Sequence, residues 1–127
     1  MRLAGNIFVV GIMNKRQLLI QRNNVRQLIR MSNRKANVLA WGAGETDAHI
    51  QMKLEICKWL KRMGKEFYTE AIFNNGQRAD IVNADDGVIY EVLESEELES
   101  IAKKRKTYPL EIITVDANQA FNEKLIL

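Results

Sequence analysis

The chain has 127 residues, of which 46% are apolar and 28% are charged, a composition typical of a soluble globular protein. That length predicts one domain with a sizeable core. No apolar run reaches the roughly 18 residues of a membrane span, and we expect neither a signal peptide nor a membrane partner. The single cysteine, Cys57, excludes an internal disulfide and a cysteine metal cluster, and a cytoplasmic protein is expected.

Charge is unevenly distributed along the chain. Residues 1–44 contain eight basic side chains and no acid, so the net charge of +3 leaves −5 for residues 45–127. A basic arm on an acidic body favours a polyanionic partner, because lysine and arginine release counterions from phosphate backbones. The alternative is a charged face that is only solvated. The predicted nucleic-acid-binding residues are Arg16, Arg22, Arg26, Arg30, Arg34, Lys35 and, in the later sheet, Arg78.

The N-terminal part predicts a strand followed by an amphipathic helix. Ile7–Met13 is apolar, and Asn14 can cap a helix over Lys15–Met31. Gly42 and Gly44 then form a flexible joint. We therefore expect a basic N-terminal extension over residues 1–44 and an α/β domain over residues 45–127.

The next predicted helix is the best-defined element of the sequence. Thr46 is a suitable N-cap, Asp47 suits the positive helix start, and Gly64 suits the position just past the helix end. Residues at helical spacing form one apolar face, namely Met52, Ile56, Trp59, Leu60 and Met63. His49 and Lys53 also fall on this buried side.

Alternating apolar residues and turn signals predict four strands, at Glu66–Phe73, Arg78–Ala84, Val88–Leu93 and Leu110–Val115. A polar helix over Glu94–Tyr108 separates the third strand from the fourth. A terminal helix capped by Asn118 is predicted over Asn118–Ile126. The order from residue 45 is αβββαβα, which predicts an α/β fold with a mixed sheet flanked by helices.

Asp80 and Glu91 are acidic residues within two neighbouring predicted strands. Side chains alternate across a sheet, so a two-residue loop would place the two carboxylates on one face, roughly 5–8 Å apart. A three-residue loop would separate them. Two carboxylates this close raise each other's pKa unless a cation lies between them, and Mg²⁺ or Mn²⁺ suits oxygen ligands. The carbonyl of Val92 and the side chain of Glu70 are further possible ligands, Glu70 alternatively being a plain surface residue.

The stretch "RADIV", followed after a turn by "IYEVLES", resembles the motif of the PD-(D/E)xK nuclease superfamily, most closely its Holliday-junction-resolvase-like and archaeal or viral branches. The similarity covers about residues 45–116. It implies a restriction-endonuclease-like αβββαβ core, metal-dependent hydrolysis of DNA phosphodiester bonds and a homodimer. Asp80 and Glu91 match the motif acids, whereas Leu93 stands where the motif has lysine.

The resemblance assigns Glu45 the role of the family's first-helix acid, and Lys53, beside His49, is the candidate replacement for the missing lysine. Lys103 and Lys104 are weaker candidates, because solvation already explains a polar helix end. For Lys53 the alternative is a snorkelling side chain, and for His49 a hydrogen-bonded, half-buried histidine.

Three functions remain open from the sequence. The first is a metal-dependent endonuclease with Asp80, Glu91, Lys53, Glu45 and His49 at its catalytic site. The second is a catalytically inactive nucleic-acid-binding module on a nuclease-like fold, which Leu93 favours. The third is a small homo-oligomeric interaction protein, in which residues 1–44, including Trp41, pack against a second copy.

Overall fold

The structure is a computed structural model that describes residues 13–94 and 98–125. In this part of the chain, three α-helices and four strands alternate as αα-βββ-α-β. The helices are α1 (Lys15–Arg26), α2 (Asp47–Arg62) and α3 (Leu98–Thr107). The strands are β1 (Phe67–Ile72), β2 (Arg78–Asn83), β3 (Val88–Leu93) and β4 (Glu111–Asp116). Short 3₁₀ turns lie at Met31–Asn33 and Glu123–Leu125.

The four strands form one mixed sheet in the order β1-β2-β3-β4. β1 pairs antiparallel with β2, and β2 pairs antiparallel with β3, since each connection is a short turn. β4 runs parallel to β3, and α3 provides the crossover between them. The predicted α/β class with a mixed sheet and flanking helices is confirmed at this level.

The sheet is covered on both faces, so neighbouring residues of a strand enter different cores. On one face, α2 packs against Ile81, Tyr90 and other strand residues. On the other face, Val25 of α1 and the following Ile29 pack with Val82 and Ile89. An isolated antiparallel bridge between Ile29 and Phe73 extends this contact to the end of β1.

The N-caps predicted for the first two helices are present. The Asn14 side chain accepts from the Gln17 amide and closes a capping box, and Thr46 accepts from the His49 amide. Gly64 follows α2 with φ +71°, the left-handed conformation that favours glycine there. In α2, Lys53 is buried as predicted, whereas Met63, predicted on the buried face, is 53% exposed.

Two predicted elements differ from the structure. The first helix ends at Arg26 rather than Met31, because the Ile29 backbone turns away to bridge Phe73. The terminal helix over Asn118–Ile126 is wrong for the described residues: Ala117 and Asn118 form a turn, and only Glu123–Leu125 makes a 3₁₀ turn. The predicted strand Ile7–Met13 lies, apart from Met13, outside the described residues.

Within residues 13–94 and 98–125, none of the helices combines the length and apolar character that crossing a bilayer requires.

Candidate functional site

The sheet divides between its two central strands. β2 and β3 pair only at Ile81–Tyr90, Val82–Ile89 and Asn83–Val88. Beyond these pairs, β2 continues to pair with β1 as far as Arg78, while β3 pairs with β4 as far as Leu93. The strands therefore part and leave a notch in the sheet. The first residues beyond the last pair, facing each other across the apex of this notch, are Asp80 and Glu91.

The two carboxylates take the place of the missing ladder hydrogen bonds. Glu91 Oε2 accepts from the backbone amide of Asp80 at 2.9 Å, and Asp80 Oδ2 accepts from the amide of Val92 at 2.8 Å. Val92 thus contributes its amide here, whereas the sequence suggested its carbonyl as a metal ligand. The connecting turn spans four residues, Ala84–Gly87. Because this length is even, like that of a two-residue loop, Asp80 still lies opposite Glu91. The turn itself is two residues longer than such a loop.

Each carboxylate meets a basic group from a different layer of the molecule. His49 Nε2 of α2 lies 3.4 Å from Asp80 Oδ2, and Lys104 Nζ of α3 donates to Glu91 Oε1 at 3.0 Å. The hydroxyl of Tyr108 lies 3.4 Å from the same Glu91 oxygen. The acids of the notch are therefore reached from both faces of the sheet.

Asp80 is the more perturbed of the two acids. Burial, followed by repulsion from Glu91, raises the pKa of Asp80 from 3.8 to about 6, against the favourable contacts of the Val92 amide, His49 and Lys53. This is the behaviour of a carboxylate that lacks a full counter-charge.

Glu45 and His49 form a second pair beside Asp80. Glu45 precedes the helix cap and is not itself helical, yet its Oε1 lies 2.6 Å from His49 Nδ1. Burial acts to raise the pKa of Glu45, but hydrogen bonds from the Gly42 amide and from Lys53 outweigh it and hold that pKa below its usual value. An ionised Glu45 can only accept a hydrogen bond, so Nδ1–H of His49 is the donor, and Nε2 lies on the side of Asp80.

Lys53 is fully buried beneath this group. Its ammonium donates to Glu45 at 3.1 Å, to Glu70 at 2.9 Å and to the Ala40 carbonyl at 2.8 Å. Glu70 has φ +50°, a conformation that costs a non-glycine residue energy and is compensated by this contact. Lys53 therefore ties the segment before α2 to β1. No direct contact joins it to Asp80 or Glu91 among the described hydrogen bonds and ion pairs.

The predicted basic residues separate into bonded and exposed groups. Arg22 is engaged by Asp85 through two hydrogen bonds of 2.7 and 2.9 Å, and Arg34 donates to the Ile29 carbonyl. Arg78 is 61% exposed at the rim of the notch, 3.9 Å from Glu70. The remaining four, Arg16, Arg26, Arg30 and Lys35, are exposed.

The residues of the notch fit a hard divalent cation only in part. Among the described residues, no group of three or more His, Cys, Asp or Glu side chains is arranged to hold a metal ion. However, Mg²⁺ commonly binds one or two carboxylates and completes its shell with waters and substrate phosphate. Four carboxylates, Glu45, Glu70, Asp80 and Glu91, face two lysines, Lys53 and Lys104. Arg78, 3.9 Å from Glu70, adds a third cation, so the group has an excess of one negative charge when His49 is not counted.

Sequence reasoning ranked Lys104 below Lys53 and did not identify Tyr108. Lys104 and Tyr108 lie four residues apart, and the Tyr108 amide donates to the Lys104 carbonyl. Both side chains therefore lie on the same side of the end of α3. This i, i+4 spacing was visible in the sequence. Its direction toward Glu91 was not, because it depends on how α3 packs on the sheet.

Comparison with protein-family models, with curated proteins and with solved structures finds no match.

Proposed function

We propose that this protein is a divalent-metal-dependent endonuclease that hydrolyses DNA phosphodiester bonds at the notch between β2 and β3. The observation that carries the proposal is the opposition of Asp80 and Glu91 where the two strands part. The order of elements from α2 to β4 supports it, since the resemblance to PD-(D/E)xK nucleases implies an αβββαβ core with a mixed sheet.

Asp80 and Glu91 are the residues that would hold the cation. Bound there, a divalent cation supplies positive charge to a phosphate and lowers the pKa of a coordinated water. The raised pKa of Asp80, its position opposite Glu91 and the carboxylate oxygens of both residues support this assignment.

The other side chains of the notch have separate roles in this proposal. His49, with Nδ1 held by Glu45, can take up and release a proton at Nε2. Lys104 approaches the site from α3 and takes the role of the motif lysine, whose position in this chain is occupied by Leu93. Lys53, already bonded to three oxygens, positions Glu45 and Glu70 beneath the site.

A nicking assay tests the proposal. Supercoiled plasmid and a four-way junction are incubated with the native protein in Mg²⁺, Mn²⁺ or EDTA, and with Asp80→Asn and Glu91→Gln. We expect cleavage in either metal, none in EDTA, and at least about a hundredfold slower cleavage in both variants, because each loses a charged ligand. Glu111→Gln is the matched control, since Glu111 is an exposed acid at the start of β4.

Metal-dependent cleavage that survives in both notch variants would rule out this site. Cleavage that falls equally in Glu111→Gln would show that the loss is not specific to the notch.

One observation favours a second candidate, a nucleic-acid-binding module without catalysis. Both notch acids already accept backbone amides and contact basic side chains, so they also serve as a structural closure of the parted strands. This candidate predicts salt-sensitive DNA binding without cleavage in any metal. Calorimetric binding of Mg²⁺ that disappears in Asp80→Asn would count against it.

A further inference from the structure

Trp41 is an exposed aromatic side chain fixed next to the notch. Its side chain is 55% exposed, whereas the other tryptophan, Trp59, is 4% exposed and contacts Tyr90 and Phe121. A large indole on the surface is not explained by the cores on either face of the sheet, and neither core includes Trp41. Tryptophan at such a position is commonly a contact residue for a ligand.

The backbone on both sides of Trp41 is held by the charged group of the notch. The Ala40 carbonyl accepts from Lys53 at 2.8 Å, and the Ala40 amide donates to Thr69 at 2.9 Å. On the other side, the Gly42 amide donates to Glu45. The indole is thus presented from a fixed backbone, which lowers the entropic cost of binding a partner.

A continuous series of contacts relates Trp41 to the notch. Gly42 bonds to Glu45, Glu45 lies 2.6 Å from His49, and His49 lies 3.4 Å from Asp80. The backbone next to Trp41 is therefore connected through Glu45 and His49 to the α2 side of the proposed cleavage site.

The segment that carries Trp41 is basic, although Glu45, which accepts from the Gly42 amide, belongs to the acidic group of the notch. Residues 31–44 contain Arg34 and Lys35 and no acid. A cleft of about 180 Å³ borders the same segment, and its lining residues include Ser32, Lys35 and Thr69. Glu70 also lines this cleft, but Lys53 offsets its charge at 2.9 Å.

An exposed aromatic side chain in a basic segment is a combination that binds single-stranded nucleic acid, because bases stack on the ring while cations follow the backbone. We infer that Trp41 is a stacking platform for an unpaired base, so that the preferred ligand is a DNA strand with at least one unpaired nucleotide beside the notch. Double-stranded DNA does not present a free base face to the indole.

Binding measured in EDTA tests this inference without cleavage. A labelled single-stranded oligothymidylate and a blunt hairpin duplex with the same number of phosphates are titrated by fluorescence anisotropy. We expect Trp41→Ala to bind the single strand about tenfold more weakly, the loss of one stacked base, and the duplex within about twofold of native. Trp41→Phe retains most of the affinity. In the native protein, the single strand quenches the exposed indole.

Met63→Ala is the matched control, since Met63 is 53% exposed at the far end of α2, and we expect no change. Unchanged single-strand affinity in Trp41→Ala would overturn the inference, as would an equal loss for duplex and single strand. A change of indole emission with protein concentration alone would instead identify Trp41 as a contact with a second copy or another protein, and would also overturn it.

The inference rests on the proposed function only in that the bound strand is cleaved; binding of the strand by Trp41 does not depend on cleavage. A protein that shows Trp41-dependent single-strand binding in EDTA but no cleavage in Mg²⁺ rejects the nuclease and retains the stacking platform. A protein that cleaves DNA but binds single strands equally well without Trp41 retains the nuclease and rejects the stacking platform.

Discussion

Glu91 is a carboxylate in a strand that is covered on both faces of the sheet. It is only 3% exposed, and burying a charge is costly unless the charge is paired. The Asp80 amide and the Lys104 ammonium supply partners at 2.9 and 3.0 Å. Asp80, across the notch, has a weaker set of partners, which makes it the residue whose ionisation opposes folding.

Asp80→Asn should stabilise the protein in EDTA at neutral pH. Because the folded state raises the pKa of Asp80 from 3.8 to about 6, this carboxyl keeps its proton to a higher pH in the native state than in the unfolded chain. Ionisation therefore lowers the free energy of unfolding as pH rises from about 4 to about 6, by at most about 3 kcal/mol. The side-chain amide of the asparagine does not ionise, so this loss of stability is absent, and its oxygen can still accept the hydrogen bond from the Val92 backbone amide. Urea denaturation at pH 4 and pH 8 should show a variant advantage only at pH 8.

Saturating Mg²⁺ should reduce that advantage, because a cation stabilises the ionised carboxylate. An advantage of Asp80→Asn that is the same at pH 4 and pH 8 would contradict the assignment of a raised pKa to Asp80.

Lys104→Ala should slow cleavage by about tenfold to a hundredfold, since it removes a positive charge beside the reacting phosphate. The Mg²⁺ concentration for half-maximal rate should fall at the same time, because a cation that repels the metal has been removed. A purely structural role for Lys104 would not move these two quantities in opposite directions. Lys103→Ala is the matched control, since Lys103 is its exposed neighbour on α3. Equal effects of the two substitutions would contradict the role.

At the scale of elements, α1 is attached to the sheet by both apolar and ionic contacts. Val25 is buried in the core on the face opposite α2. Arg22 binds Asp85 in the β2–β3 turn through two hydrogen bonds, and Asp85 also accepts from the Glu66 amide. One arginine of the basic segment thus holds α1 in place, and only the exposed ones are candidates for the proposed contact with DNA.

Arg22→Ala should lower the free energy of unfolding by about 2–4 kcal/mol, because it leaves the 3%-exposed Asp85 without its cation. Arg16→Ala, at an exposed position of the same helix, should change stability by less than about 0.5 kcal/mol but weaken DNA binding. Urea denaturation and anisotropy titrations on both variants measure this. Similar stability losses in the two variants would show that Asp85 is not dependent on Arg22.

At the scale of the whole molecule, the divided sheet links fold and proposed function. Pairing of β2 with β1 on one side of the notch, and of β3 with β4 on the other, lets the two central strands part without leaving either unpaired. Helices from opposite faces then bring His49 and Lys104 to the same pair of acids. A site assembled from four elements needs the complete sheet.

The sequence alone determined what depends on neighbouring residues. Helix caps at Asn14 and Thr46, the helix end at Gly64, four strands within one or two residues of their bounds, and the burial of Lys53 follow from local hydrogen bonding and from periodicity. The opposition of Asp80 and Glu91 was conditional on the loop length, which the sequence left open, and the four-residue turn of the structure meets the condition.

Only the tertiary structure decided what depends on distant residues. The first helix stops at Arg26 because Ile29 bridges Phe73, and Arg22 is engaged by a carboxylate 63 residues away. Lys104 rather than Lys53 contacts Glu91 because α3 crosses over the sheet. Such contacts arise from the packing of whole elements, whose geometry no local pattern encodes.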